Sequence, residues 1–158
     1  MLSFAARYEG LSQNCYIIGV CVGGISQNCD KMIWTFKGYV AEDGKAVMEE
    51  WYESLPPKAQ AKLSTILEHM ADNHHTDWNS NHVFPLSGYK GIYEIRCRIR
   101  NILYRPLGCF GPGKNEFTLL VPAREQGDQL KPKNAPEIAL KRMAVILIEK
   151  ERSRELSF

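Results

Sequence analysis

The stretch that decides the fold runs Ile92-Tyr93-Glu94-Ile95-Arg96-Cys97-Arg98-Ile99-Arg100 and continues Asn101-Ile102-Leu103-Tyr104-Arg105-Pro106-Leu107. Strand side chains alternate between faces with a period of two, so Tyr93, Ile95, Cys97 and Ile99 point one way and Glu94, Arg96, Arg98 and Arg100 the other. The pattern predicts one strand over 92–99 with an apolar and a charged face. Ile102 to Leu107 reads as the next strand, ending at Pro106, which has no N–H for an interior ladder. A charged strand face is ordinarily a solvent face. Three arginines at alternate positions repel one another unless anions or carboxylates intervene, so this row is also a candidate surface for a polyanion.

Working outward, Gly111-Pro112-Gly113 is a turn, and the continuous apolar run Phe117 to Val121 predicts a central strand buried on both faces. Upstream, Met32 to Phe36 opens a short first strand that ends at Lys37-Gly38. Asp43 is the expected cap of a helix carrying Val47, Met48, Trp51, Tyr52 and Leu55. Pro56-Pro57 breaks that helix and starts a second, whose stripe is Ala59, Leu63, Ile66, Leu67 and Met70. Downstream, Asn134 and Glu137 stand at capping-box spacing before Ile138, Ala139, Met143, Ile146 and Leu147. The charged tail Glu149 to Glu155 reads as the solvated end of that helix. The expected order is β-α-α-β-β-β-α, an α+β fold with its helices on one face of a mainly antiparallel sheet.

Length and composition frame this reading. The chain has 158 residues, 44% apolar and 24% charged, which suits one domain and excludes a disordered chain. No apolar run approaches the roughly 18 residues that span a bilayer. The net charge of +2 hides a division. Residues 32–89 hold four Lys against eight acids, a balance of −4, whereas residues 90–158 hold fourteen Lys and Arg against eight acids, a balance of +6. The five cysteines (15, 21, 29, 97 and 109) have no C-x-x-C spacing, so no zinc site is expected, a reducing cytoplasm suits them, and Cys97 and Cys109 read as small buried hydrophobes. The segment Asn73-His74-His75-Thr76-Asp77 lacks an i, i+4 His pair and reads as a polar loop, with no metal expected. Trp51 and Trp78 read as packing residues. Residues 1–31 show no clear period and repeat Ser-Gln-Asn-Cys at 12–15 and 26–29. They are expected to be a poorly structured extension preceding one domain over 32–158, with the native start at Met1 or near Met32. A signal peptide is disfavoured, because Tyr16 to Ile25 has a weak positive flank and no A-x-A site.

Several elements together resemble the RelE/ParE toxin superfamily of bacterial toxin–antitoxin modules, most closely its phage-derived HigB-like branch. They are Pro85-Leu86, Gly91-Ile92-Tyr93-Glu94-Ile95-Arg96, Tyr104-Arg105, Phe117-Thr118-Leu119-Leu120 with Arg124, and Asn134-Ala135-Pro136-Glu137-Ile138-Ala139-Leu140-Lys141-Arg142. The resemblance covers about residues 32–150. It implies a RelE-like fold and a cytoplasmic toxin that cuts messenger RNA, usually on the ribosome, without metal or cofactor, by attack of a ribose 2′-hydroxyl on the adjacent phosphate. It also implies a neutralising antitoxin, commonly of helix-turn-helix type.

That reaction needs cations for the phosphate charge that grows in the transition state, a base for the 2′-hydroxyl and an acid for the leaving 5′-oxygen. By position, Arg96 matches the family's strand Lys or Arg, Arg105 its substrate-phosphate arginine, and Arg124 the basic residue after the third core strand. Glu94 is a candidate base or a partner that orients Arg96. Lys90, Arg98, Arg100 and Lys131 are candidate RNA contacts. The chain departs from the pattern in lacking a Tyr or His acid near the C-terminal end. It also carries Ala123-Arg124-Glu125 where HigB relatives often have a Lys pair. The rival reading is a non-catalytic module on the same fold, either a ParE-like gyrase inhibitor or a phage remnant that binds only an antitoxin.

Overall fold

The computed structural model describes residues 33–78 and 82–157, so the readings made for residues 1–31 lie outside the described residues. The chain runs β1 (Thr35–Tyr39), α1 (Val47–Glu53), α2 (Pro57–Asp72), a 3-10 turn (His75–Asp77), β2 (Val83–Pro85), β3 (Tyr93–Ile95), β4 (Cys97–Ile99) and β5 (Ile102–Tyr104). It continues through β6 (Leu107–Phe110), β7 (Glu116–Val121), β8 (Arg124–Gln126), β9 (Gln129–Lys131), α3 (Ala135–Ile148), a second 3-10 turn (Lys150–Arg152) and β10 (Ser153–Glu155). Two sheets result, a six-stranded one ordered β10-β1-β7-β6-β3-β2 and a four-stranded one ordered β4-β5-β8-β9. Every pairing is antiparallel except β1 with β7, so the α+β expectation holds with an antiparallel majority.

The sequence pattern predicts one strand over 92–99, and the structure divides it. The chain turns at Arg96, whose N–H is given to the His82 carbonyl at 2.6 Å, and passes from β3 in the large sheet to β4 in the small one. The reverse crossing occurs at Arg105-Pro106 between β5 and β6, and a third at Pro122-Ala123 between β7 and β8. Bends that let a strand change sheets are the usual way to make such a corner. Two of the three crossings hold a proline, which cannot donate to a continuing ladder. Arg100 consequently leaves the strand altogether and sits in the β4–β5 turn at φ +51°.

The large sheet buries both faces. On one side Met48, Leu63 and Met70 of the α1–α2 hairpin meet Ile95, Phe117 and Leu119. On the other, Ala135, Ala139 and Ile146 of α3 meet Ile92, Leu107 and Leu120. The expectation of helices on one face therefore gives way to helices on both, as the doubly buried β7 requires. Trp78 lies in the core, stacked on Phe110 at 5.5 Å, with its indole N–H donated to the Met70 carbonyl at 2.8 Å. Pro57 opens α2 as expected.

Three local expectations change. Asp43 does not cap α1; its Oδ1 accepts the Lys45 N–H at 3.0 Å, and the helix starts after Ala46. Asn134 stands at the start of α3 without a side-chain cap. Its intended partner, Glu137, instead accepts the Tyr89 hydroxyl at 2.6 Å, which holds the Glu137 carboxyl below its ordinary range. The expected solvated helix end holds β10, tied to β1 in the register Tyr39 to Ser153, with Ser153 Oγ 2.7 Å from Thr118 Oγ1.

Two predictions follow from this packing. A Cβ on Gly108 would clash with the edge of the Phe117 ring, whose Cζ would be 3.0 Å away, and fall 2.7 Å from the Thr118 carbonyl oxygen. Gly108→Ala is expected to cost about 1–3 kcal/mol, read as a lower midpoint in urea unfolding. Cys97 and Cys109 are both buried, and burial pushes the Cys97 thiol up and the Cys109 thiol up to about 12. Since the thiolate is the reactive form, both are expected to resist alkylation until the chain unfolds, as peptide mass mapping would record.

Candidate functional site

The corner where strands change sheets brings Glu94, at the centre of β3, beside the two arginines of the bends. Arg96 Nε donates to Glu94 Oε1 at 2.7 Å and its Nη2 lies 2.6 Å from the same oxygen. Arg105 Nε donates to Glu94 Oε2 at 2.7 Å, and its Nη2 closes on that oxygen as well. The remaining arm of Arg105 reaches Glu125 Oε2 at 2.9 Å. Arg96 also lays its guanidinium 4.0 Å above the Phe84 ring. Glu94 is 2% exposed, Arg105 15% and Arg96 40%.

This cluster of two carboxylates and two guanidinium groups is balanced in charge. Its hydrogen bonds are charge-assisted and geometrically directed. Both Glu94 oxygens are engaged by guanidinium groups, so no oxygen is left to accept a 2′-hydroxyl proton. Three of the five N–H groups of Arg105 are engaged as well. The arrangement binds the corner together; an added phosphate would have to displace a carboxylate.

The other sequence candidates lie elsewhere. Arg98, exposed, is paired in register with Leu103, and its carbonyl accepts the Lys62 ammonium at 3.0 Å. Lys90 is exposed in the loop before β3. Thus the expected row of Arg96, Arg98 and Arg100 does not form, because the bend at Arg96 and the turn at Arg100 take its two ends away. Arg124 pairs in register with Tyr104 on one side and Lys131 on the other, which puts these three on one face of the small sheet. Arg105 and Glu125 alternate to the opposite face. The structure therefore brings Glu94, Arg96 and Arg105 together and sets Arg124 and Lys131 apart from them.

Arg124 and Lys131 border a cleft of about 350 Å³ between the small sheet and the tip of the α1–α2 hairpin, walled by Trp51, Pro56, Tyr104 and Ala123. No carboxylate lines it. Neither cation makes a side-chain ion pair or hydrogen bond among the described residues, and the Tyr104 hydroxyl has no partner among them. Trp51 meets Tyr104 edge-on, with ring centroids 6.4 Å apart. Two unopposed cations beside two aromatic rings can hold an anion and stack a flat group. Sequence reasoning named Arg124 and Lys131, read Trp51 as a packing residue and gave Tyr104 no role of its own. Tyr104 stood inside a quoted motif, and the Pro56-Pro57 break had already put the hairpin tip next to Trp51. Among the described residues no group of three or more His, Cys, Asp or Glu is gathered to hold a metal, and no helix is long and apolar enough to cross a membrane.

The family described as phage derived protein Gp49-like (DUF891) matches residues 50–144, well over half of the chain and including both the corner and the cleft. The chain belongs to that family. No curated protein and no solved structure matches it.

The two charge groups separate by what their loss does. Glu94→Gln leaves two guanidinium groups without their shared carboxylate and is expected to cost roughly 3 kcal/mol. Arg124→Ala removes an exposed, unpaired cation and should stay within about 0.5 kcal/mol of the parent. Urea unfolding of the two variants side by side checks the contrast, and equal losses would refute it.

Proposed function

We propose that this Gp49-like chain is the toxin of a toxin–antitoxin pair, a cytoplasmic endoribonuclease of the HigB-like branch that cuts messenger RNA and is neutralised by a small helix-turn-helix antitoxin. The observation that carries the proposal is the cleft in which Arg124 and Lys131 stand unpaired beside Trp51 and Tyr104 with no carboxylate in the lining. Membership of a phage-derived family agrees with it.

In this reading the scissile phosphate sits on Arg124 and Lys131. The guanidinium fork suits two phosphate oxygens, and both cations stabilise the charge that grows as the 2′-hydroxyl attacks. Trp51 stacks a neighbouring base. The Tyr104 hydroxyl protonates the leaving 5′-oxygen, and the ribosome or the RNA itself receives the 2′-hydroxyl proton. Glu94, Arg96 and Arg105 act through the fold, because their mutual ion pairs fix the end of β5 that carries Tyr104. The metal-independent route is what the resemblance implies.

One observation favours the non-catalytic alternative, namely that neither His nor a carboxylate lines the cleft to serve as a base. Expression of the chain with and without a neighbouring antitoxin gene decides between them. The proposal expects growth arrest with cut messenger RNA, relieved by the antitoxin. Arg124→Ala should lower cleavage about 100-fold, and Tyr104→Phe should lower cleavage about 100-fold while leaving RNA affinity within twofold. Growth arrest with intact RNA and damaged DNA would instead support a gyrase inhibitor.

A further inference from the structure

The cleft beneath the hairpin tip continues past Pro56 and Tyr104. Both residues also border a second hollow of about 390 Å³, which Pro57, Lys58, Ile99, Arg100 and Ile102 complete. The two hollows adjoin at Pro56 and Tyr104 beside the Pro56-Pro57 tip and form the two halves of a groove on the small sheet. Cations stand at both ends, Arg124 and Lys131 at one and Lys58 and Arg100 at the other. Between them the floor is aromatic or apolar. No carboxylate lines either hollow, although 18 of the 158 residues are acidic.

Arg100 adds a second, independent observation. It holds φ +51° in the β4–β5 turn, a left-handed conformation in which a bulky side chain is uncommon and which Gly or Asn adopts more readily. An arginine is thus kept where the backbone favours a different residue, at the mouth of a groove with no acid to pair it. Neither Arg100 nor Lys58 makes a side-chain hydrogen bond or ion pair among the described residues.

We infer that Lys58 and Arg100 form a second phosphate subsite, so that the groove holds two phosphates of one RNA strand with the nucleotide between them lying on Tyr104 and Ile102. This rests on the RNA-cleaving reading above and adds a specificity element to it. The distance suits the task. Arg100 stands across the turn from Asn101, three residues along the chain from Tyr104, which is abreast of Arg124, and strands rise about 3.3 Å per residue, so the backbone positions that carry Arg100 and Arg124 are offset by roughly 10 Å along the strands. That offset is of the order of the spacing between phosphates along a strand of RNA. Tyr104 shows only 7% of its surface and Ile102 40%, so the floor gives an unpaired base a small, mainly aliphatic surface to lie on, which a base inside a duplex cannot reach. The groove therefore selects single-stranded RNA at least two nucleotides long.

The test uses the full chain and a fluorescein-labelled ten-nucleotide 2′-O-methyl RNA, which cannot undergo 2′-hydroxyl attack, with binding followed by anisotropy across a salt series. Each phosphate contact on a single strand contributes about 0.7 to the slope of log K against log salt. The double variant Lys58→Gln, Arg100→Asn is expected to bind about tenfold more weakly with a slope smaller by about 0.7. Arg100→Lys, which keeps the charge, should retain the parent slope. Asn is chosen because it tolerates positive φ, and an unchanged thermal midpoint and circular dichroism spectrum confirm that the variant is folded. A parent slope in the double variant, with a reduced slope in Arg124→Ala, would overturn the second subsite and leave the cleft reading standing. No response from either variant would overturn the cleft reading as well. Equal affinity for a duplex of the same length, or groove-dependent binding of poly-glutamate without RNA binding, would overturn the single-strand proposal and point to a protein partner.

Discussion

Glu94 is the side chain on which the architecture turns. Three consecutive strand passes cross between the large sheet and the small one, and a corner of this kind loses ladder hydrogen bonds at each bend. At this corner backbone bonds replace part of the loss, with Ile95 N–H donating to the Pro106 carbonyl at 3.0 Å and Arg105 N–H to the Ala123 carbonyl at 2.8 Å. The Glu94 carboxylate ties the first two bends together by taking Arg96 with one oxygen and Arg105 with the other. Arg105 carries the link on to Glu125 in the small sheet. A buried charge tolerates such a place when its oxygens are matched by directed donors, and removing either arginine would leave part of that charge buried and uncompensated.

That internal balance determines which cations remain available. Arg96 and Arg105 are the most distinctive arginines in the sequence, yet their charge is spent within the molecule. Arg124 alternates with Glu125 along β8, so the same strand that closes the corner on one face presents an unopposed cation on the other. Alternation with period two thus sorts the basic residues into a structural set and an exposed set. Neither net charge nor motif position could do so, since each depends on identity and not on facing.

Much of the fold was legible because it depends on local signals. The apolar stripe over Ala59 to Met70, the Pro56-Pro57 break and the run Phe117 to Val121 each fix an element without reference to its neighbours, and each appears where its residues predict it. The strand over 92–99 did not, because the bend at Arg96 is imposed by a bond to His82 and by the distant Arg105 and Glu125, which no period can encode. Pro106 was read as a strand end when it marks a change of sheet. β10 was hidden for a related reason, since a short charged strand at a sheet edge has the composition of a solvated helix terminus. For the site, the cationic residue types were legible and their grouping was not. Glu94 reads in the sequence as a candidate base or an orienting partner of Arg96, and its burial between two arginines becomes visible only with the corner in place.

The division of charge along the chain also acquires a physical meaning. The acidic surplus of residues 32–89 lies on the helical hairpin and the loop that leads into it, where Glu50 pairs with Lys45 and Glu42, Asp43 and Glu53 are exposed. The part of that hairpin facing the small sheet is its tip, and the tip contributes Trp51, Ser54, Leu55, Pro56, Pro57 and Lys58 to the groove but no acid. Proline at the tip serves two ends, breaking α1 from α2 and providing a stiff wall without an N–H that would need a partner. The acidic element therefore turns an end without carboxylates toward the basic sheet, and among the described residues the cations there make no ion pair. A surface built for solubility alone would intersperse the two signs. The separation at this groove is the feature on which the proposal of an anionic ligand rests.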